Sequence, residues 1–347
     1  MYDELDRLTQ SYLSHDGEHP VHNILVYLQD QVGCKIYHRG FGLADGQTVS
    51  AEKDDQFKIA SITKMFTAVL TLQFYEEGLL DLDRPVHHYL ADIDFINFDT
   101  LHIYQGTSCG RSITARQLLH HGSGLADLFM DGEEQFIEYV LRNPARQYTP
   151  RLLFDLFYQF GLNRASVALP GATFHYSDTG YFLLGLLAEE LSGSSLAALY
   201  RKRILEPLGM KNTFFEYFEN WDHPVRMSHV FYDRVDVNTR VNTSYDWAGG
   251  GLVSTTSELA RFIQELFAGT LFRSSSTLDL MANDSNEGYA LGLKLSGPFM
   301  GHYGFWGGTL GYDPEQNVTI SLTINQVNPP FDRLEMINNL LECFLAS

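Results

Sequence analysis

The stretch FKIASITKMFTAVLTLQFYEEGLLDLD, residues 57–83, decides how the rest of the chain is read. Its apolar spacing predicts a helix over 62–78 that turns Met65, Phe66, Val69, Leu72 and Phe74 inward, with Gly78 placed to end it. Ser61 and Lys64 stand three residues apart at the start of that helix, and positions i and i+3 share a face. One reading makes Ser61 a helix cap and Lys64 a solvated charge. The other makes them a nucleophile and its activator. The spacing alone leaves both open.

Composition narrows the field. The chain has 347 residues, 44% of them hydrophobic and 19% charged, which is enough for a large core and for one big or two closely packed domains. A formal net charge of −19 repels the phosphates of nucleic acid and disfavours anionic membrane surfaces, so a small-molecule substrate is expected. The three cysteines, Cys34, Cys109 and Cys343, have no C-x-x-C spacing, and neither a zinc site nor a redox motif follows. The N-terminal MYDELDRLTQSYL is acidic and amphipathic, unlike a secretory signal, and a cytoplasmic location is expected. The longest apolar runs, such as YFLLGLLA (181–188), fall short of the roughly 20 residues of a membrane span.

Along the chain, residues 2–14 read as a helix, and 22–30 and 33–45 as two strands joined by a hairpin. The run GFGLADG in the second strand resembles a nucleotide loop but has no following helix, so it reads as a turn. From 86 to 247 the text is mostly helical patches: 114–121, 133–142, 150–159, 177–192 and 195–209. A helix at 256–269, strands at 289–296, 299–305 and 317–326, and a helix at 331–346 complete it. Strands at both ends and helices between them predict an α+β fold. Its antiparallel sheet is built from 1–85 and 248–347, with a helical region inserted at 86–247. The cleft between the two parts is the natural ligand site.

Three further segments carry chemistry. PGATFHYSDTGYFLLGLLAEELSG (170–193) puts Tyr176 in a loop before a long helix, with Asp178 placed to cap it. GHYGFWGGTLGYDPEQNVTISLTINQ (301–326) places His302-Tyr303-Gly304 on a late strand. ITARQLLHHGSGLAD (113–127) reads as a helix ending in a glycine-rich loop. Each alone is also what an ordinary half-buried tyrosine, an aromatic strand or a helix end looks like.

Together they resemble the serine β-lactamase and penicillin-binding-protein-like superfamily. That group includes class C β-lactamases, D-Ala-D-Ala carboxypeptidases, D-aminopeptidases and family VIII esterases. The resemblance runs from GFGLADG through LLHHGSGL, PLGMKNTFF and AGGGLVSTTSELARF to the last strands, with all three active-site motifs in the family's order. It implies that Ser61 attacks a carbonyl and forms an acyl-enzyme. Lys64, desolvated in the cleft, and Tyr176, its phenolate favoured by the lysine, would manage the proton. The backbone N–H groups of Ser61 and Phe305 would form the oxyanion hole. Asp178, His302, Tyr303 and Gly304 would contact substrate, and neither metal nor cofactor is implied.

Two departures bear on the substrate. The family's Tyr-x-Asn is here Tyr176-Ser177-Asp178, and its Lys-Thr-Gly is His302-Tyr303-Gly304. One cation is lost and one anion gained. The expected substrate is an ester or amide without a carboxylate beside the scissile bond, with a D-amino-acid peptide bond among the candidates. Protonation of His302 toward pH 6 would move the enzyme toward carboxylate substrates. The alternatives are a β-lactamase or D-Ala-D-Ala carboxypeptidase, an acyltransferase using the same acyl-enzyme, and a catalytically silent binding or regulatory relative. An α/β-hydrolase lacks its G-x-S-x-G elbow here. A metalloenzyme lacks H-E-x-x-H, and the adjacent pairs His87-His88 and His120-His121 diverge on a helix. No motif encodes the oligomeric state.

Overall fold

A computed structural model describes residues 2–347. Five helices and six strands position the site: α1 (Asp3–Ser11), β1 (Asn23–Asp30), β2 (Lys35–Gly42), α2 (Thr63–Glu76), α3 (Asp178–Ser192), α4 (Thr256–Phe267), β3 (Lys294–Ser296), β4 (Phe299–Tyr303), β5 (Gly308–Asp313), β6 (Val318–Thr323) and α5 (Arg333–Ala346). The strands form one antiparallel sheet in the order β3-β4-β5-β6-β1-β2. Its seam is the β1–β6 pair, from Leu25 opposite Thr323 to Asp30 opposite Val318, where the two ends of the chain meet.

Alternation along the strands assigns the two faces. Ile24, Val26 and Leu28 of β1, with Val318, Ile320 and Leu322 of β6, pack against Leu5 of α1 and against Met336, Leu340 and Phe344 of α5. On the opposite face Leu25, Leu310 and Tyr312 join a larger core that contains α2, α3 and α4. Helix α2 runs through the middle of that core, buried from Thr63 to Leu72 and again at Phe74. The one-faced helix expected from its spacing is therefore buried nearly all round, as an apolar helix between two layers must be. Its Phe66 ring stacks on Phe262 of α4 with centroids 3.8 Å apart.

A small three-stranded sheet joins Phe57–Lys58, Leu252–Ser254 and Phe214–Phe215. It ties the residues before α2 to those before α4. The expected helices at 133–142 and 150–159 are found at those bounds, and 114–121 shortens to Ala115–Leu119 behind a Thr114–Gln117 capping box. The expected helix 195–209 is Leu196–Tyr200 continuing into a π-turn, Arg201–Leu205.

Two elements differ from the expectation. Only 294–296 of the predicted strand 289–296 joins the sheet, because Gly292 turns the chain at φ +84°. Strand β5 falls in the stretch 306–316, to which the sequence reading assigns no element. Its glycines answer to packing: a Cβ on Gly308 would lie 3.3 Å from Ile62 Cδ1, and one on Gly311 3.2 Å from Ile320 Cγ2. Helix Ser275–Asn283, with Ser274 as its cap, was also unread. Among the described residues no single helix is long and apolar enough to cross a membrane.

Because α2 carries the Ser61–Lys64 turn and is held by Phe262, Phe66→Ala is expected to cost about 3–5 kcal/mol. Urea titration followed by circular dichroism measures it. A loss below about 1 kcal/mol would place the anchor of α2 elsewhere.

Candidate active site

The turn that presents Ser61 is strained. Ala60 has φ +46°, a left-handed conformation that side chains other than glycine rarely adopt, and it opens a single 3-10 turn (Ala60–Ile62) that runs directly into α2. The donor Ile59 N is fixed on Leu252 O at 3.1 Å, and Leu252 N on Thr63 Oγ1 at 3.2 Å, so both ends of the turn are pinned by one strand. Ser61 itself stays partly exposed.

Lys64 is fully buried. Its Nζ lies 3.0 Å from Ser61 Oγ and 3.0 Å from Gly249 O, and it is ion-paired with Asp178 Oδ1. The rings of Tyr176 and Tyr181 flank it with centroids 4.9 and 5.4 Å away. Lys64 is therefore not a lone desolvated amine. Its burial is compensated by a carboxylate, a carbonyl and two aromatic faces. Geometry removes one of the two opening readings: Lys64 is not a solvated charge but a buried group that points at the serine hydroxyl.

Asp178 opens α3 without capping it; the residue before it, Ser177, makes no side-chain cap either. What fixes Asp178 is Asp127. Asp127 Oδ2 accepts the Asp178 amide, while its Oδ1 accepts the amides of Phe129 and Met130 at 2.9 and 2.7 Å. Burial and the neighbouring Asp178 charge push the Asp127 carboxyl up to about 7, against those hydrogen bonds.

Two expectations need correction. Tyr176 does not have a favoured phenolate. Burial, and next the Asp178 charge, raise its phenol well above the ordinary value, although its hydrogen bond with Ser61 acts the other way. Nor does His302 become a cation near pH 6. It is 5% exposed, its Nε2 meets Tyr289 Oη at 2.8 Å and its Nδ1 meets the Tyr303 carbonyl at 2.8 Å. The carbonyl can only accept, so Nδ1 carries the proton and Nε2 accepts from the tyrosine. Burial, with Lys64 nearby, lowers the imidazole to about 3. His302 is a buried wall of the site.

Along β4 the side chains alternate, so Tyr303 points to the other face of the sheet, toward α5, and not to Ser61. This removes its side chain from the expected substrate contacts. Gly304 does sit at the site: a Cβ there would lie 2.5 Å from Ile59 O and 3.5 Å from Ala60 Cβ, and bare backbone is what lets β4 approach the Ser61 turn. The next residue, Phe305, has a side chain that is 53% exposed.

Three contributors were not singled out from the sequence. Gly249 has no room for a side chain, since a Cβ would fall 2.3 Å from Asp178 Oδ1 and 3.3 Å from Lys64 Nζ. Asp246 accepts from Trp306 Nε1 at 3.1 Å, and burial and the Asp178 charge raise its carboxyl to about 7. Gly250 separates it from the Ser61 turn, with Asp246 Cβ 3.0 Å and Ala60 C 3.4 Å from where a Cβ would stand. Asp127 is the third. The triple glycine 249–251 after an acid was the legible signal for the first two.

Residues 27–342 match the family model described as Beta-lactamase. The chain belongs to the β-lactamase family. It is similar to penicillin-binding protein 4* of Bacillus subtilis, 28% identical over 307 residues that cover 83% of this chain and 60% of that protein. Among solved structures it is similar to a D-stereospecific amidohydrolase from Streptomyces sp. (TM-score 0.77, 26% identity, 96% of this chain and 97% of that one). It is also similar to an octameric penicillin-binding protein homologue from Pyrococcus abyssi (TM-score 0.78, 26% identity, 99% and 77%). The chain spans about half the length of several curated relatives.

The space left by Gly249 tests the geometry. Gly249→Ala should leave the fold intact but force Lys64 and Asp178 apart, slowing phosphonylation of Ser61 by a fluorophosphonate at least tenfold. Intact-mass kinetics reads the rate, and an unchanged rate would show that the close packing of this pair is irrelevant to Ser61.

Proposed function

We propose that the protein is a serine hydrolase that cleaves an ester or amide bond through an acyl-Ser61 intermediate. The observation that carries this reading is the contact of the buried Lys64 Nζ with both Ser61 Oγ and Asp178. Two of the three hydrogen-bond directions at Nζ end on acceptors, Asp178 and the Gly249 carbonyl, and the third is aimed at the hydroxyl. Lys64 acts as the neutral amine, donating its two N–H groups to Asp178 and the Gly249 carbonyl and turning its lone pair to Ser61. Ser61 Oγ attacks the substrate carbonyl carbon while its proton passes to that lone pair, and Asp178 stabilises the ammonium so formed. The carbonyl oxygen becomes an oxyanion held by the Ser61 and Phe305 amides, each such donor being worth about 3–4 kcal/mol. Tyr176, kept a neutral phenol, hands a proton to the leaving oxygen or nitrogen as the tetrahedral intermediate collapses, and Lys64 replaces it. Water then attacks the acyl carbon by the reverse sequence. The named activity of the Streptomyces amidohydrolase, which this chain matches over almost its whole length, supports the same bond class.

Charge sets the preferred substrate. Lys64 is committed to Asp178, and Lys58, the other buried lysine near the site, to Glu216. His302 stays neutral, and Asp246 has no cationic partner within 4.0 Å among the described residues. A substrate carboxylate would enter this cleft without a counter-charge, which is costly. Neutral or cationic acyl groups meet no such barrier.

A serine-directed fluorophosphonate should add once to the wild-type chain and not to Ser61→Ala; an adduct that survives the substitution would overturn the assignment of the nucleophile. Neutral p-nitrophenyl esters should be cleaved with a kcat/KM about ten- to a hundredfold above that for nitrocefin, the margin of one hydrogen bond to a charged group. The opposite order would refute the charge argument and leave the nucleophile standing.

Asp246 gives the pH dependence. Its carboxyl is raised to about 7, so it is an anion above that pH and neutral below it. The ratio of kcat/KM for an ester with a quaternary ammonium acyl group to that for its uncharged isostere should therefore rise as pH goes from 6 to 8. The substrate's charge does not titrate and the common catalytic terms cancel in the ratio. Asp246→Asn should flatten the ratio, and a slope that persists in that variant would assign the effect to another group.

A further inference from the structure

Between α5 and the outer strands of the sheet, on the Tyr303 side of β4, lies a cavity of about 490 Å³. Its formation follows from the register of β4 and β5. Gly301 stands directly opposite Gly311, so two neighbouring positions of the sheet carry no side chain. Phe299, Ile320 and Ile337 make apolar walls around that bare backbone. Two polar groups converge there without internal partners. Thr309 lines the cavity, is 3% exposed, and its Oγ1 is buried with no hydrogen bond. Lys294, on β3 at the rim, lies 5.2 Å from the Tyr303 ring centroid and has no carboxylate within 4.0 Å among the described residues. Arg333, at the start of α5, adds positive charge near the end of β4, where it donates to Gly304 O at 3.5 Å. In a chain of net charge −19, an unpaired lysine over an apolar hollow is the reverse of the average surface.

We propose that this cavity is a second ligand site, separate from the Ser61 cleft, that takes a small amphipathic carboxylate such as a medium-chain fatty acid. The alkyl chain lies on Phe299, Ile320 and Ile337, the carboxylate meets the Lys294 ammonium, and the Thr309 hydroxyl, covered in the free protein, turns about χ1 to donate to a carboxylate oxygen. The volume is in the range of ligand pockets, and the arrangement of apolar walls with a few convergent polar groups is what such pockets show. A buried hydroxyl without a partner costs free energy that a ligand oxygen recovers.

The test is calorimetric titration of the full chain with octanoate. One octanoate per chain should bind, and equally well after Ser61 has been phosphonylated. Lys294→Met, which keeps the apolar stem, should weaken binding at least tenfold, as should Thr309→Val. Asn338→Trp, an exposed position on α5 facing the cavity, should fill the hollow and abolish binding without changing hydrolysis of a neutral ester. Binding lost on phosphonylation would place the ligand in the catalytic cleft and overturn the proposal. So would 1-octanol binding as tightly as octanoate, which would reduce the site to an apolar groove, or no heat at millimolar octanoate.

Discussion

The ion pair between Lys64 and Asp178 is the constraint from which the site follows. A buried ammonium must be matched, and breaking such a pair by removing one partner costs about 3–5 kcal/mol because it leaves an uncompensated charge. Satisfying the pair dictates much of the surrounding architecture. Asp127 fixes the start of α3 by taking the Asp178 amide, Gly249 gives up its side chain so that its carbonyl can reach Nζ, and the small sheet holds the Gly249–Gly251 segment against the Ser61 turn. Ser61 gains its reactive neighbour as a consequence of how a lysine is buried.

The same pair redistributes roles among the neighbouring groups. With Lys64 answered by Asp178, the lysine does little to draw Tyr176 toward its phenolate, and burial keeps the phenol neutral. With His302 sealed between Tyr289 and its own strand, the site lacks the cation that the family's Lys-Thr-Gly supplies. The acid that remains without a cation, Asp246, stands in a site whose lysines are already committed. On the proposed reading, selectivity against carboxylates would arise from which charges are paired and which are left over.

Much of this was legible in the sequence, and the exceptions have physical reasons. Ser61 and Lys64 could be read because helical spacing makes i and i+3 neighbours. The α+β architecture could be read because strands fell at both ends and helices between. Strand β5 was hidden because its glycines, placed by close contact with Ile62 and Ile320, look like those of a loop. Asp127 and Asp246 were hidden because their function depends on burial and on partners 51 and 60 residues away, which no local pattern reports. Tyr303 was misassigned for a simpler reason: three consecutive residues on a strand cannot all face the same site.

The most direct measurement of the central claim is a double-mutant cycle on the rate at which a fluorophosphonate modifies Ser61, using Lys64→Ala, Asp178→Asn and the pair together. If Asp178 acts on Ser61 only through Lys64, each single substitution slows modification by orders of magnitude, and the double variant is no slower than Lys64→Ala alone. Losses that multiply across the cycle would show that Asp178 and Lys64 act on Ser61 independently, and the account of the site as one ion-paired unit would be wrong.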